Sequence, residues 1–590
     1  MASARFVFLL TLLAIFEAVA VGSRGKSNAV KSPDATRPNI VFILTDDQDV
    51  QMGSLDYMPF LRKHMIYQGT SYTRHYCNIA LCCPSRVSLL TGRAAHNTNV
   101  TDTQPPYGGY PAFVNQLLDG MNHSFNDAYL PVWLQQAGYE TYYVGKFLNY
   151  HTILNYHTPY AAGWTGSDFL LDPFQYTYYS PIFQGNKNTP ILHNGSYVTD
   201  LVAEKSLAFI DEAAQAGNPF FLTIAPNAPH AQVDVLDAKH TKFSIPQPAK
   251  RHEELFQNIR VPRKANFNPK EPSGASWIRK LDQLTQEQVD ANDEWYRARI
   301  RCLQAVDEMI DQVFARLEQH GLLENTYIFF SSDNGYHISQ HRMFPGKSCP
   351  YEEDINVPLI VRGPGVAAGV SIDHPTSHLD LVPTFFSLAR IPQRDDFDGA
   401  VIPLGAPESS REWQDIRPEH VAVEMWMARS TDEGGLGKPD RHKVDHTYKS
   451  LRLVGEGYSL YYSVWCTNEH ELYDMAIDPY QMTNLAYPTQ AANRTVKIGD
   501  QYHQIPELTN RLDSLLLILK SCKGDSCRNP WNELLPNQQA SSLKDAMHSR
   551  FDGFFAGLPR VQFNQCEAGY ILASEGPQYS GETYLNFDDV

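Results

Sequence analysis

Long apolar runs are scarce in this 590-residue chain. After Phe6–Phe16, itself too short, no stretch approaches the roughly 20 residues that cross a bilayer, so no membrane partner is expected. Basic residues are also in short supply: 49 Lys and Arg face 66 Asp and Glu, a formal charge of −17. Nucleic acid or an anionic membrane surface would have to be bound against that field, and neither is expected as a partner. Internal repeats and extended low-complexity segments are missing too, which sets aside solenoids and coiled coils. What is present is an ordinary globular composition, 43% apolar and 12% aromatic, enough to exclude a disordered chain. Nine cysteines leave an odd count to be explained.

Arg5, the apolar run and Ala18-Val19-Ala20 together read as a cleaved signal peptide over residues 1–20. The expected location is the secretory pathway: extracellular, cell wall or a vacuole- or lysosome-like compartment. Sequons at Asn99, Asn122, Asn194 and Asn493 fit N-glycosylation on that route. An oxidising compartment permits disulfides, but nine thiols cannot all pair within one chain.

Residues 21–37 read as a loose leader. Asn39–Leu44 is an unbroken apolar, β-branched run, the pattern of a strand buried on both faces of a parallel sheet. Leu130–Ala137 reads as a helix ended by Gly138, with a Tyr-rich strand over Tyr139–Val144 behind it. Pro219–Ala225 is a further buried strand, and Thr285–His320 a long helix opened by a capping box from Thr285 to Gln288. Strands over Tyr327–Ser331 and Val357–Val361 continue the alternation, which predicts an α/β sandwich with a mostly parallel central sheet over residues 38–410. The length exceeds one core, so a smaller C-terminal α+β domain is expected over 411–590, with strands at His420–Met425 and Tyr458–Val464.

In such sheets ligands bind beyond the carboxyl ends of the strands. The first strand runs into Thr45-Asp46-Asp47-Gln48, and the strand at Tyr327 into Ser332-Asp333-Asn334-Gly335. Clustered carboxylate and amide oxygens repel unless a cation lies between them, and an all-oxygen set suits Ca²⁺ or Mg²⁺. Read singly, Asp46-Asp47 serves equally as a turn cap and Asp333-Asn334-Gly335 as a tight turn. Between them lies Leu81-Cys82-Cys83-Pro84-Ser85-Arg86, where a helix beginning near Pro84 would offer free amide donors to an anion beside Arg86.

Cys82-x-Pro-Ser-Arg followed by Leu90-Thr91-Gly92-Arg93 resembles the signature of type I sulfatases. The likeness extends through Gly145-Lys146, Ala228-Pro229-His230, Gly346-Lys347 and Leu472-Tyr473-Asp474, and its flavour is that of fungal arylsulfatases and glucosamine-6-sulfatases. The resemblance implies an alkaline-phosphatase-like fold. It implies that a formylglycine-generating enzyme converts Cys82 to formylglycine, and that Asp46, Asp47, Asp333 and Asn334 hold a divalent cation, Ca²⁺ ahead of Mg²⁺, with an oxygen of the modified Cys82. Arg86 would steady the formylglycine, with Lys146, His230 and Lys347 around the sulfate and the last two as candidate proton donors. A histidine that many sulfatases carry two residues after the first lysine is here Leu148, so Asn149 or His151 is expected to orient the formylglycine. His337 and Glu352 are expected only to support the site, and Asp380 to begin a helix.

The expected activity is hydrolysis of aryl sulfates, with a 6-sulfated glucosamine of a glycan as the alternative substrate, then a related phosphoesterase or an inactive extracellular binding protein. If Cys82 is consumed by modification, eight thiols remain, and parity is restored. Cys522 and Cys527, five residues apart, form the nearest local pair, and Cys83 must be bonded or shielded.

Overall fold

The computed structural model describes residues 37–115, 124–235, 241–405, 418–427, 433–434, 446–487, 494–536, 540–579 and 584–585. The expected signal peptide and the boundary near residue 410 lie outside these residues, as do all but Arg37 of the leader.

Five parallel strands form the centre. They are β1 (Asn39–Thr45), β2 (Glu140–Lys146), β3 (Gly166–Leu170), β4 (Phe220–Ala225) and β5 (Thr326–Ser332). Their spatial order is β5-β1-β4-β2-β3, every neighbouring pair parallel. Antiparallel strands close both sides: β6 (Leu359–Arg362) and Thr70–Tyr72 beyond β5, Ile182–Gly185 and Ile191–Leu192 beyond β3. A short strand at Val370–Ile372 completes ten.

The apolar run in β1 is continuous because both faces are covered. Val41 and Ile43 face a core with α3 (Val198–Ala216) and α4 (Gln286–Gln319), the long helix supplying Leu303, Val306, Ile310 and Val313. Ile40, Phe42 and Leu44 face the opposite core, built with α1 (Cys82–Thr91), α2 (Leu130–Gln136) and α5 (Leu381–Ala389). The Thr285–Gln288 capping box forms as the spacing predicts, satisfying free amides at the start of α4.

The expected strand Val357–Val361 is broken at Pro358. Asn356–Val357 pairs with His75–Tyr76 in a separate sheet, while β6 runs antiparallel to β5. Proline has no N–H for the ladder, and its carbonyl instead accepts from Ser331 Oγ at 2.7 Å. Helix α1 starts at Cys82, two residues before the proline, so Cys82 itself occupies the first helical position.

The smaller C-terminal part is an antiparallel sheet of β7 (His420–Met425), β8 (Tyr448–Gly455), β9 (Tyr458–Trp465) and β10 (His470–Asp474). One face buries Leu451, Leu453 and Leu460 beneath α6 (Ile505–Leu519). The other packs Val421, Val423, Tyr461 and Trp465 onto Tyr76, Ile79 and Ile355 of the larger part. Disulfides Cys466–Cys566 and Cys522–Cys527 sit in this part; the second is the expected local pair. The other four of the eight expected thiols, Cys77, Cys83, Cys302 and Cys349, stay reduced and buried, with Cys83 fully shielded. Among the described residues no helix is long and apolar enough to cross a membrane.

Candidate active site

Four neighbouring strands deliver polar residues to one rim. Asp46 and Asp47 follow β1, Lys146 ends β2, His230 follows β4 through Ala228-Pro229, and Asp333 and Asn334 follow β5. Backbone bonds lock these strand ends together: Asp46 N–H to the Ala228 carbonyl at 3.2 Å and Asp333 N–H to the Thr45 carbonyl at 3.1 Å. Gly145 adopts φ +104°, and a Cβ there would lie 2.0 Å from the Ala225 carbonyl oxygen. Only glycine allows the backbone twist that aims Lys146 into the rim.

Helix α1 brings Cys82 to the carboxylates. Its Sγ lies 3.6 Å from Asp46 Oδ1, 3.9 Å from Asp47 Oδ1 and 3.1 Å from Lys347 Nζ. One turn on, Ser85 Oγ donates to the Asp333 carbonyl at 2.5 Å, and Arg86 Nε donates to Asp333 Oδ2 at 2.8 Å. Arg86 also donates to the Lys146 carbonyl at 2.5 Å, so the guanidinium braces two strand ends. Lys146 Nζ is 2.6 Å from Asp46 Oδ2, and Lys347 Nζ 2.5 Å from Asp47 Oδ1. His230 Nε2 faces Asp47 Oδ2 at 3.6 Å.

The electrostatics follow from burial. Burial, then the Asp333 charge, pushes the Asp46 carboxyl up to about 7 despite Lys146 and Arg86. Asp47 suffers the same burial, but Lys347 and His230 overcome it and hold it below the usual carboxylate range. Burial also opposes the two ammonium groups, yet Asp46 keeps Lys146 charged and Asp47 keeps Lys347 charged. It lowers His230 to about 4 and raises the Cys82 thiol.

A hard divalent cation fits this donor set. Asp47 Oδ2 and Asn334 Oδ1 are buried without hydrogen-bond partners. Ligand atoms of Asp46, Asp47, Cys82 and His230 all lie within 4.8 Å of one another. The Asp46 and Asp47 carboxylates converge there, with Asp333 bonded to the Asp47 N–H and the Asn334 amide donating to Asp47 Oδ1 at 2.7 Å, an oxygen-rich surrounding of the kind that suits Ca²⁺ or Mg²⁺.

Of the residues named from sequence, Cys82, Arg86, Lys146, His230, Lys347, Asp46, Asp47, Asp333 and Asn334 come together. Asn149 and His151 diverge. Asn149 Nδ2 donates to the Tyr176 hydroxyl at 2.5 Å, at the rim. His151 is stacked on Tyr110 at 4.1 Å and packed edge-on to Phe147 and Phe169, in an aromatic layer where burial lowers it to about 3. His337 bonds Asp354 at 2.8 Å, Glu352 bonds Arg452 of β8 at 2.5 Å, and Asp380 closes a capping box with Ser377. Asn99 and Asn194 are exposed, while Asn122 and Asn493 lie outside the described residues.

Three residues were missed. Tyr176 stacks on His230, Glu433 stands 3.4 Å from Lys347, and Arg299 of α4 bonds the backbone carbonyls of Asp47 and Pro229. A buried arginine on an apolar helix face is a sequence signal, since such a charge requires partners.

The sequence matches the family model described as Sulfatase over residues 38–391. It is 36% identical to the arylsulfatase of Volvox carteri, covering 90% of this chain and 82% of that one. It is 44% identical to sulfatase ppz1 of Metarhizium majus, over 69% and 86% of the two chains. Similarity to the N-acetylglucosamine-6-sulfatase of Homo sapiens is 29% identity over 84% and 86%. The structure of BT4656 in complex with its substrate D-glucosamine-2-N,6-O-disulfate superposes with a TM-score of 0.60 at 22% identity, covering 78% of this chain and 95% of that one.

Proposed function

The chain belongs to the sulfatase family, whose reaction is hydrolysis of sulfate esters, and we propose that it is an arylsulfatase of the secretory pathway that uses formylglycine at position 82 and a bound Ca²⁺. The observation that carries the reading is Cys82 at the first position of a buried helix, between the Lys146–Asp46 and Lys347–Asp47 pairs. A buried nucleophile between two permanent cations is built for an anionic ester, because charge that develops on oxygen meets fixed positive groups. The phenolic class draws support from the likeness to the Volvox arylsulfatase, which spans 90% of this chain. Exposed Asn99 and Asn194 and the two disulfides accord with secretion.

When formed, formylglycine supplies a hydrated aldehyde, one hydroxyl to attack sulfur and a second whose deprotonation expels sulfate by C–O cleavage. Asp46, Asp47, Asp333 and Asn334 would hold the cation, which adds positive charge against the ester oxygens. The chain's own residues do the rest. Arg86 fixes Asp333 and the end of β2, so the carboxylate rim does not shift as charge moves. Lys146 and Lys347 bind and orient the sulfate oxygens. Lys347, kept charged by Asp47, and His230 are the proton donors assigned to the departing oxygen.

Mass spectrometry of the peptide containing residue 82 tests the reading. An aldehyde about 18 Da lighter than cysteine is expected from protein made in its native host. A wholly unmodified thiol there would sink the reading. Nitrophenyl sulfate should turn over faster than a 6-sulfated aminosugar; the reverse order would assign the protein the N-acetylglucosamine-6-sulfatase role of its 29% identical relative. Turnover of a phosphate ester alone would overturn the reaction class.

A further inference from the structure

Tyr176 lies in the loop after β3, and β3 is registered on β2 so that Leu170 stands level with Lys146. The loop therefore passes over the end of the lysine. The Tyr176 ring is stacked on the His230 imidazole, centroids 4.0 Å apart and planes 23° apart. Lys146 Nζ lies 4.6 Å from the centroid of the same ring. The hydroxyl is tied to Asn149, which is 8% exposed. The two loops are stitched again where Tyr150 N–H donates to Asp172 Oδ2 at 2.7 Å and Asp172 N–H to the His151 carbonyl at 2.8 Å.

His230 has little else to hold its ring. Nδ1 is engaged by the adjacent Ala231 carbonyl at 2.8 Å, and Nε2 reaches Asp47 only at 3.6 Å. A ring packed on one face of the imidazole blocks rotation toward that side, and the same ring gives the Lys146 ammonium a cation–π contact in a desolvated place.

We propose that Tyr176 is a positioning residue for the hydrolysis: its ring holds His230 and Lys146 in place beside Cys82, and Asn149 anchors the ring through its hydroxyl. Only the kinetic arm of the test rests on the sulfate ester reading.

The test compares Tyr176→Leu, which removes the ring, with Tyr176→Phe, which keeps it and loses the anchor. Tyr176→Leu is expected to lower kcat on nitrophenyl sulfate about 30-fold with KM within about 3-fold, and Tyr176→Phe to lower kcat about 3-fold. Asn149→Ala should match Tyr176→Phe, and the double variant should be no worse than either, because both remove one bond. In full-length protein with 13C-labelled histidine, the Hε1 resonance of His230, assigned by its loss in His230→Ala, should shift in Tyr176→Leu and stay in Tyr176→Phe. That resonance needs no turnover, so a wild-type protein inactive on sulfate esters defeats the substrate reading while leaving this test intact. An unmoved resonance in Tyr176→Leu overturns the proposal. So does kcat within about 2-fold of wild type in that variant, a rise in KM at constant kcat, or equal losses in the Phe and Leu variants. Should Tyr176→Leu not fold, additive losses in the Asn149 and Tyr176→Phe pair overturn it.

Discussion

Two clusters of buried charge stand in contrast, one at the strand rim and one at the seam with the C-terminal sheet. At the strand rim, Asp46, Asp47 and Asp333 meet Lys146, Lys347 and Arg86, yet Asp47 Oδ2 and Asn334 Oδ1 have no hydrogen-bond partner and Asp46 is pushed up to about 7. At the seam with the C-terminal sheet, Glu424 accepts from His96 at 2.9 Å and from Lys449 at 2.8 Å, and His96 reaches the Cys522 carbonyl at 2.8 Å. Burial alone would raise Glu424, but His96 and Lys449 overcome it and hold the carboxyl down at about 2. Lys449 also lies 3.9 Å from the Trp426 ring. The two differ because carboxylates crowd at the rim, where the Asp333 charge adds to burial in raising Asp46 while Lys347 and His230 still hold Asp47 down, whereas Glu424 meets two basic partners. A satisfied buried network specifies how two parts fit, whereas one with unpaired oxygens is shaped for something the chain does not itself supply.

The largest expected effect breaks the rim and spares the seam. Cys82→Ala should lower sulfate ester hydrolysis by at least about 10⁴-fold with a melting temperature within about 2 °C of wild type. Residual turnover of more than a hundredth would show that Cys82 is not the nucleophile. Next, chelation of divalent cations should abolish activity and lower the melting temperature, with Ca²⁺ restoring both, since a ligand bound only by the folded state stabilises it. Full activity in chelator would remove the cation from the rim. The converse is Glu424→Gln, which strands His96 and Lys449 at the seam and should cost about 3 kcal/mol in denaturant unfolding, leaving kcat within about 2-fold. A loss of kcat at unchanged stability would mean the two clusters are not separate in role.

Much of this contrast was legible in the sequence, and unevenly. Part of the rim announced itself because its members sit where a buried run ends: Asp46 after Asn39–Thr45, Asp333 after Thr326–Ser332, Lys146 at the end of a Tyr-rich strand; Cys82 and Arg86 were marked by the motif at the start of α1 instead. The seam did not, since His96 and Glu424 stand 328 residues apart and nothing local marks either. Cys466–Cys566 escaped for the same reason, its loop spanning 100 residues against five for Cys522–Cys527. Tyr176 is one of 32 tyrosines, and only the registration of β3 on β2 places it over Lys146. The break at Pro358 was visible in the sequence, inside a run whose apolar residues outweighed it.

The smallest expected effect is the pH dependence of stability that the seam imposes, read as the difference between wild type and a seam variant so that the rim's own titrations cancel. Glu424 has a folded-state pKa lowered to about 2, so its stabilisation is present above its unfolded value near 4.5 and is lost as pH falls toward 2. His96 works in the other direction: burial opposes its charge, but Glu424 overcomes burial and raises it above the ordinary 6.5. Its stabilisation is full below 6.5 and disappears as pH rises through the raised value. The two windows overlap between about pH 4.5 and 6.5, where the carboxylate and the imidazolium coexist. The seam's contribution should therefore be greatest in weak acid. Melting temperature recorded from pH 4 to 9 for wild type and Glu424→Gln should differ most near pH 5.5, and the gap should narrow toward pH 9 as His96 loses its proton. A gap independent of pH would mean that His96 is neutral in the folded protein and that Lys449 alone carries the pairing.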